Sequence, residues 1–246
     1  MSISKQFFLL LCLLHASLYA EPIRGELFLG GFNHTPSGEV KYNTLNSVGI
    51  SDILDFSTAQ DVLLKAYIEH SFSPFPNIKM AYSTYLHNAQ NLVPNFSWGS
   101  IKNFTGTINN HLSLSTLDTT LYYELLDYWL ETDVGITLRS LNAEMSVKNR
   151  LTYDAISFSA LTPLLYGKAK LTIPHTDISL QIEANAIALP DTTSYDYEIS
   201  GRYTFTTGLG LELGYKSFYL QSDNIAKNFD IDIDFTGLYI AATWEF

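Results

Sequence analysis

The chain has 246 residues, of which 46% are hydrophobic, 14% aromatic and only 16% charged. An average soluble protein carries about 25% charged residues, and a disordered chain carries few aromatics, so this composition excludes disorder. Acidic residues outnumber basic ones by 25 to 14, for a net charge of −11. This balance excludes a basic nucleic-acid-binding surface, and the single cysteine excludes a disulfide framework and a thiolate metal cluster.

The N-terminus has the features of a secretory signal peptide. A basic start is followed by an apolar stretch, residues 7–14, that is too short to span a bilayer, and Ala20 supplies a small residue before the expected cleavage point. We therefore expect residues 1–20 to be removed on export and residues 21–246 to form one domain. That domain contains no cysteine, because Cys12 lies in the predicted signal peptide. The sequence leaves the cleavage position open.

The rest of the chain alternates between polar and apolar residues with a period of two, which is typical of strands with one face of each kind. In residues 61–70, for example, Val62 and Leu64 alternate with Asp61 and Lys65. Charged residues in the predicted strands lie on the polar face, as strict alternation of side chains requires. The ten predicted strands cover residues 23–32, 61–70, 77–87, 117–125, 130–141, 164–173, 178–188, 195–205, 209–220 and 238–246.

The segments between these strands are alternately short and long, with one brief exception at residues 189–194. Short turns at one end and long loops at the other predict an antiparallel up-and-down transmembrane β-barrel, with both termini at the short-turn end. Ten strands are expected, or eight if two weak strands belong to loops. The predicted short turns are residues 71–76, 126–129, 174–177 and 206–208, and the predicted long loops are residues 33–60, 88–116, 142–163 and 221–235.

Alternation alone does not decide whether the apolar face fills a soluble core or contacts lipid. Small residues on the apolar face, such as Ala184 and Ala186, suit lipid better than a tightly packed core. Aromatic residues also gather near strand ends, as at membrane interfaces. They are Trp129, Tyr203, Phe205, Trp244 and Phe246 toward the short turns, and Tyr195, Phe218 and Tyr219 toward the loops. We therefore expect an outer-membrane barrel.

The expected partners follow from that location. The chain ends in Trp244-Glu245-Phe246, with both aromatic residues on the apolar face. This ending resembles the C-terminal signal of outer-membrane barrels, which the barrel assembly machinery reads, so Trp244 and Phe246 are the predicted assembly signal. Outer-membrane lipid and lipopolysaccharide are the other expected partners. The sequence does not predict the oligomeric state.

Three further segments carry a family resemblance: Leu29-Gly30-Gly31-Phe32, residues 121–127 (LYYELLD) and residues 163–167 (PLLYG). With the aromatic C-terminus, they resemble a family of proteobacterial outer-membrane β-barrels of similar length that is named for an N-terminal Gly-Gly pair. The resemblance covers most of residues 21–246. It implies an outer-membrane barrel of undefined molecular role and supplies no functional residues.

The polar face is expected to line the lumen with charges of both signs, which should pair because an unpaired charge in a narrow tube is costly. About eight strands already allow side chains to fill a barrel, so ten leave little free bore. We expect a salt-bridged interior and a structural or interaction role, with a small passive diffusion pore as the alternative. The predicted charge network contains Lys65, Lys79, Glu131, Asp133, Arg139, Lys168, Lys170, Glu183, Glu198, Arg202, Glu212 and Lys216.

A surface hydrolase is the second alternative. Asp230, Asp232 and Asp234 alternate near the edge of the last strand and resemble the water-activating carboxylates of omptin-type barrel proteases. That chemistry also needs a histidine as general base. The candidates, in or beside predicted loops, are His34, His87 and His111. Because no Asp–His pair at short spacing supports this chemistry, we predict no catalytic residue, cofactor or metal.

The first predicted loop contains apolar residues at helical spacing. Leu45, Val48 and Ile53 would lie on one side of a short helix over residues 44–56. Such a helix would serve equally well as a cap over the lumen or as a knob for a partner.

Overall fold

The computed structural model describes residues 23–43, 46–71 and 74–246; the predicted signal peptide lies outside the described residues. Among these residues no helix is long and apolar enough to cross a membrane. The described chain is instead almost entirely β-strand. The strands are β1 Arg24–Tyr42, β2 Val48–Gly49, β3 Ala59–Glu69, β4 Asn77–Trp98, β5 Ile101–Leu126, β6 Leu130–Lys148, β7 Tyr153–Thr172, β8 Ile178–Leu189, β9 Thr192–Thr204, β10 Leu209–Ala226 and β11 Phe229–Glu245.

Ten of these strands form a closed antiparallel barrel. Each pairs with its neighbour in chain order, and β11 pairs with β1 over the whole length from Glu26↔Glu245 to Tyr42↔Phe229. The two-residue β2 is not one of the ten barrel strands, and among the described strands it pairs with β1 alone. The predicted ten-stranded up-and-down barrel is therefore confirmed, and the eight-stranded alternative is wrong. We call the end that holds Arg24 and Phe246 the terminal end, and the opposite end the hairpin end.

A belt of large apolar side chains surrounds the half of the barrel nearer the terminal end. Ile240 and Leu213, for example, are 62% and 61% exposed on the outer face. Apolar patches on soluble monomers seldom exceed a few hundred Å², so a complete belt indicates contact with lipid. The belt includes Leu27, Leu29, Val62, Leu64, Ile78, Met80, Leu117, Leu121, Val134, Ile136, Leu138, Leu165, Leu180, Ile182, Ile199, Leu211, Leu213, Leu238 and Ile240.

The polarity of the two faces inverts along the long strands, as β5 shows. Near the terminal end, Leu121 is exposed on the outer face and Asp118 is buried in the lumen. Nearer the hairpin end, the outward residue is polar, as at Thr107, and the inward residue is apolar, as at Leu112. The barrel is thus built for lipid around one half and for water around the other, where it encloses an apolar core.

This inversion explains why three predicted loops are wrong. Residues 88–116, 142–163 and 221–235 are mostly strand, joined by short turns at 99–100, 149–152 and 227–228. The 26 residues of β5, at about 3.3 Å each and a tilt of about 45°, rise roughly 60 Å, against an apolar band of about 25 Å. The barrel wall therefore continues well beyond the belt.

Aromatic residues mark both edges of the belt. Trp129, Tyr203 and Phe205 are exposed at the terminal end. Tyr195 and Tyr219 lie on the outer face near the other edge, with ring centroids 4.9 Å apart. One prediction is wrong, because Phe218 points inward and is fully buried. It stands on the luminal parity of β10, where the apolar core begins.

Candidate functional site

The lumen is the candidate functional site. Arg202 is the central cation of the part of the lumen nearest the pairing of β1 with β11. The guanidinium donates to both carboxylate oxygens of Glu26 at 2.6 and 2.8 Å, to Glu212 at 2.8 Å and to Glu245 at 3.1 Å. Tyr239 donates a further hydrogen bond to Glu212 at 2.6 Å. One side chain of β9 therefore joins β1, β10 and β11, which closes the ring with charge-assisted hydrogen bonds as well as with backbone pairing.

Three lysines and two glutamates occupy the centre of the lumen. Glu183 contacts Lys65 and Lys79, and Glu198 contacts Lys65 and Lys216. All five residues are buried. Because Lys65 contacts both glutamates, the five side chains form one continuous chain of ion pairs across the barrel. Such buried pairs are stable only when each charge retains its partners.

Arg139 forms the second cationic centre. Its guanidinium donates to both oxygens of Asp118, at 2.8 and 2.6 Å, and also contacts Asp196. Asn185 donates to the other oxygen of Asp196 at 3.1 Å. The guanidinium carbon lies 5.3 Å from the centroid of Phe218. Arg139 is thus where the ionic part of the lumen meets the apolar part.

The charges near the terminal end form looser pairs. Lys168 lies 3.3 Å from Asp133, and Lys170 lies 3.3 Å from Glu131. Arg24 is 60% exposed and lies 3.4–3.9 Å from three carboxylates. Those carboxylates belong to Glu69, Glu124 and Asp127. The Lys168–Asp133 pair is buried, whereas the exposed pairs of Arg24 contribute little to stability.

The structure places all twelve residues of the predicted charge network in the lumen, each within an ion pair, but in separate groups rather than one network. Glu26, Asp118 and Asp196 are outside the set of twelve, although the sequence also places them on the luminal face, and they complete the sites of Arg139 and Arg202. Their place on the polar parity of their strands was the available signal. Three tyrosines also line the terminal half of the lumen: Tyr67, Tyr122 and Tyr166.

An apolar layer lies above the ion pairs, toward the hairpin end. Tyr85 is at its centre, with ring centroids 5.1 Å from Phe218 and 4.7 Å from Phe235. Phe32 packs edge-on against the same ring at 6.2 Å. The sequence prediction missed this layer. The signal in the sequence was a set of apolar residues at luminal positions, on strands whose other luminal residues are charged.

The first loop fills the space above this layer, and we call residues 46–58 the first-loop plug. Ile50, Leu54 and Phe56 are buried in the apolar core. The plug is not the predicted helix, because only a single turn forms, with the amides of Ile53 and Leu54 both donating to the carbonyl of Gly49. Its inward position fits the predicted cap rather than the predicted knob. Leu45 lies outside the described residues.

Side chains of the barrel wall hold the plug in place. Asn91 donates to the carbonyl of Ile53 at 2.6 Å, and Asn110 donates to the carbonyl of Leu54 at 2.7 Å. The amide of Ile50 donates to the carbonyl of Gly38 at 3.0 Å. These bonds satisfy backbone groups that burial would otherwise leave unpaired.

Two buried histidines lie between the plug and the wall, beyond the apolar belt. Nε2 of His34 donates to Asp61 at 2.9 Å, and Nδ1 of His87 donates to the carbonyl of Ser57 at 3.0 Å. The imidazole centroids are 5.0 Å apart, and the remaining nitrogen of each ring has no partner among the described residues. Burial, with the other imidazole nearby, lowers the pKa of His87 to about 4, so this ring is neutral at pH 7.

The two layers leave little space between them. A void of about 10 Å³ remains beside Ser83, Arg139 and Glu198, which is about the volume that one water molecule needs. The ionic layer below it and the apolar layer with its plug above it fill the lumen.

The proposed hydrolase residues do not meet. Asp230, Asp232 and Asp234 lie on the outer face of β11, while Ile231 and Ile233 between them are buried inside. His34 and His87 point inward, and His111 lies on the outer face of β5 with Nδ1 2.9 Å from Asn88. Within residues 23–43, 46–71 and 74–246, no three His, Cys, Asp or Glu side chains are placed to hold a metal ion.

The C-terminal aromatics lie on the outer face at the terminal end. The rings of Trp244 and Phe246 are 4.9 Å apart, and both are about half exposed. Phe246 exchanges two backbone hydrogen bonds with Gly25, at 2.8 and 2.9 Å. A Cβ atom at Gly25 would lie 2.6 Å from the Phe246 ring, so a larger residue at this position would require the ring to move.

Comparison with known proteins shows the fold. No family model and no curated protein matches the chain, so the resemblance to the Gly-Gly family stays a prediction. Among solved structures, the outer membrane protease OmpT of Escherichia coli is similar with a TM-score of 0.50 and 12% identity, over 93% of this chain and 98% of that one.

Two other solved structures are similar at lower scores. The translocator domain of the autotransporter NalP from Neisseria meningitidis has a TM-score of 0.45 and 11% identity, over 99% of this chain and 95% of that one. The attachment invasion locus protein Ail of Yersinia pestis has a TM-score of 0.41 and 8% identity, over 91% of this chain and 98% of that one. The likeness to OmpT shows that the chain has the fold of outer-membrane β-barrels.

Proposed function

We propose that this protein is an integral barrel of the outer membrane with a closed lumen, and that it has a structural or interaction role at its hairpin end without catalysis. The observation that carries the proposal is the filled lumen. Ion pairs cross the barrel at the level of Glu183 and Glu198, and the apolar layer with the first-loop plug lies above them. A barrel filled in this way offers no aqueous path.

The apolar belt supports a position in the outer membrane. Lipid acyl chains are the expected contact of the belt, and lipopolysaccharide is the expected contact of the polar outer wall beyond it. The exposed rings of Trp244 and Phe246 support recognition by the barrel assembly machinery. Barrels of this class have short periplasmic turns and extended extracellular ends. The terminal end is therefore assigned to the periplasm and the hairpin end to the cell exterior.

The two alternatives receive less support. A diffusion pore requires an open lumen, which the layers around Arg139 and Tyr85 oppose. OmpT is a protease, but a likeness at 12% identity carries the fold alone. A water-activating site needs its carboxylate and histidine within hydrogen-bond reach of each other and open to water. The outward Asp232 is separated by the barrel wall from the inward His34. The carboxylate that His34 does contact, Asp61, is buried with it.

Planar-bilayer recording tests the closed lumen. The full chain without its signal peptide is refolded, reconstituted and recorded beside a general porin that has been prepared in the same way. We expect no current steps from this protein and clear steps from the porin. Reproducible steps from this protein would contradict the proposal and favour the diffusion pore.

Single-cysteine labelling tests the orientation, because the described residues contain no cysteine. Asn103→Cys places a thiol at the hairpin end and Asp177→Cys places one in a turn at the terminal end. A membrane-impermeant maleimide applied to intact cells should label the first variant only, and both after the cells are broken. Labelling of Asp177→Cys alone in intact cells would reverse the orientation.

A further inference from the structure

A groove of about 560 Å³ opens at the hairpin end, between the first-loop plug and the β4–β5 hairpin. Its volume lies within the range of about 300–1,000 Å³ that is typical of small-molecule sites. The residues that give it its chemical character are Asn43, Asn95, Phe96, Ser97, Lys102 and Asn103. The ionic and apolar layers of the lumen lie below this groove, and the closed barrel does not use it.

The composition of the groove differs from that of the chain. Asparagine and serine supply most of its polar side chains, Lys102 supplies the one charge, and no lining residue described by the structure is acidic. In the whole chain, acidic residues outnumber basic ones by 25 to 14. An amide both donates and accepts hydrogen bonds, and a hydroxyl does the same. This set suits a ligand with many hydroxyl groups and without a positive charge.

An irregular stretch of β4 brings consecutive side chains to the same groove. Side chains in a regular strand alternate between faces, but Asn95, Phe96 and Ser97 all line this groove. The pairing of β4 with β5 is broken on both sides of Phe96, between Val93 and Phe96 and between Phe96 and Trp98. Such breaks redirect side chains and are frequent beside functional sites.

Both walls of the groove are anchored in the barrel. The plug wall is held by Ile50, which is buried, and by the bond from Asn91 to the carbonyl of Ile53. The hairpin wall is held by Trp98, which is fully buried with its ring 5.5 Å from Tyr42. A site whose walls are already ordered loses less conformational entropy on binding.

Phe96 supplies the aromatic surface of the groove, beside the aliphatic Val48 and Ile53. Its ring is stacked on Phe104, with centroids 5.4 Å apart and planes inclined by 23°. Phe104 is buried in the apolar core, so the position of the Phe96 ring is fixed from below. Sugar rings combine an apolar C–H face with a rim of hydroxyl groups, and an aromatic ring surrounded by amides matches both.

We propose that this groove binds a short oligosaccharide, with Phe96 against a sugar ring, Asn95 and Asn103 on its hydroxyl groups, and Lys102 on a carboxylate where the sugar carries one. This inference rests on the proposed function, because it requires the hairpin end to face the cell exterior. The sugar comes either from the surface glycans of another cell or from the lipopolysaccharide of the bacterium's own membrane.

Titration of three probes against the full exported chain in detergent tests the proposal. The probes are a disaccharide of glucuronic acid and N-acetylglucosamine, the uncharged disaccharide diacetylchitobiose, and delipidated lipopolysaccharide core oligosaccharide. Saturation-transfer NMR should show saturable binding of at least one probe in the millimolar range or tighter. Preference for either disaccharide assigns the site to foreign glycans, and preference for the core oligosaccharide assigns it to lipopolysaccharide.

Variants locate the binding in the groove. Asn95→Ala and Phe96→Ala should each weaken binding at least ~10-fold, which corresponds to about 1.4 kcal/mol. Phe96→Tyr keeps the ring and should retain binding. Lys102→Ala should weaken acidic probes only. The matched control is Asn33→Ala, an exposed asparagine on β1 outside the groove, which should change nothing.

Two results would overturn the inference. One is the absence of saturation by any of the three probes at about 10 mM, which is weaker than the affinities expected of a specific site. The other is equal loss of binding in Asn33→Ala and Asn95→Ala. Either result leaves the proposed function intact if the protein conducts no current and Asn103→Cys is labelled in intact cells.

Discussion

Arg139 shows what a single residue contributes in a closed lumen. It is buried and holds two aspartates, Asp118 and Asp196, that have no other cation in contact among the described residues. Lys170 is a useful contrast, because it pairs with Glu131 at the partly exposed terminal end. Removing one partner from a buried pair costs far more than removing one from an exposed pair.

Arg139→Met should therefore destabilise the barrel by about 3–5 kcal/mol, whereas Lys170→Met should cost no more than ~1 kcal/mol. The measurement is urea-induced unfolding of each variant in lipid vesicles, followed by tryptophan fluorescence. Equal midpoints for the two variants would show that Arg139 does not hold the lumen as described.

His87 makes stability depend on pH. Burial, with His34 nearby, lowers its pKa from 6.5 to about 4, while Asp61 and the carbonyl of Ser57 act in the opposite direction. Between these two pKa values, the unfolded chain binds more protons at this site than the folded chain does. Stability should therefore fall by about 1–3 kcal/mol as the pH decreases from 7 to 4.5.

His87→Gln keeps a side chain of polar character and removes the titration. Its unfolding midpoint should change less with pH over the same interval than that of the wild type. Identical pH dependence in the two proteins would mean that other groups cause the loss of stability.

For single residues, the sequence predicted which side chains face the lumen but only some of their ion-pair partners. Pairs that oppose each other on adjacent strands, such as Asp118↔Arg139 and Glu198↔Lys216, follow once the register is known. The contact between Lys79 and Glu183 crosses the lumen instead. Contacts of that kind depend on the closure and shear of the whole barrel, which no local pattern contains.

The first-loop plug is the element whose role was hardest to predict. Apolar residues in this segment suggested a helix, but Ile50 and Leu54 are apolar because they enter the barrel core. The segment is too short and too well occupied by core contacts to form more than one turn. A sequence window cannot distinguish an amphipathic helix from a loop that packs inward, since both need apolar residues a few positions apart.

Leu54→Asp should displace the plug, because it would bury a carboxylate in the apolar core. Proteinase K should then cut the folded variant within residues 46–58 and leave the wild type intact. Ser51→Asp is the matched control, because Ser51 is exposed in the same segment and should remain resistant. If both variants resist cleavage, the plug is not held by its apolar side chains.

The strands extend beyond the apolar belt into segments that the sequence predicts as loops. The alternation predicts strands where apolar residues face outward, but loops are predicted where the same strands carry polar residues outward. In β5 the change occurs near Ser115, between outward Ser113 and outward Leu117. The period of two continues through this point, so the strand was present in the sequence and only its surroundings had changed.

For the whole molecule, the central result is where the outer face of the barrel changes from apolar to polar. On every long strand the outer face is apolar near the terminal end, and the luminal face becomes apolar toward the hairpin end. The first pattern requires lipid outside and the second requires water outside. Together they place the edge of the membrane on the barrel and leave the hairpin end, with its groove, in water.

Fluorescence quenching by brominated lipids measures that edge directly. Leu121→Cys and Thr107→Cys, both on the outer face of β5, are labelled with a bimane in the reconstituted barrel. The account predicts strong quenching at position 121 and almost none at position 107. Equal quenching at both positions, or none at position 121, would contradict it.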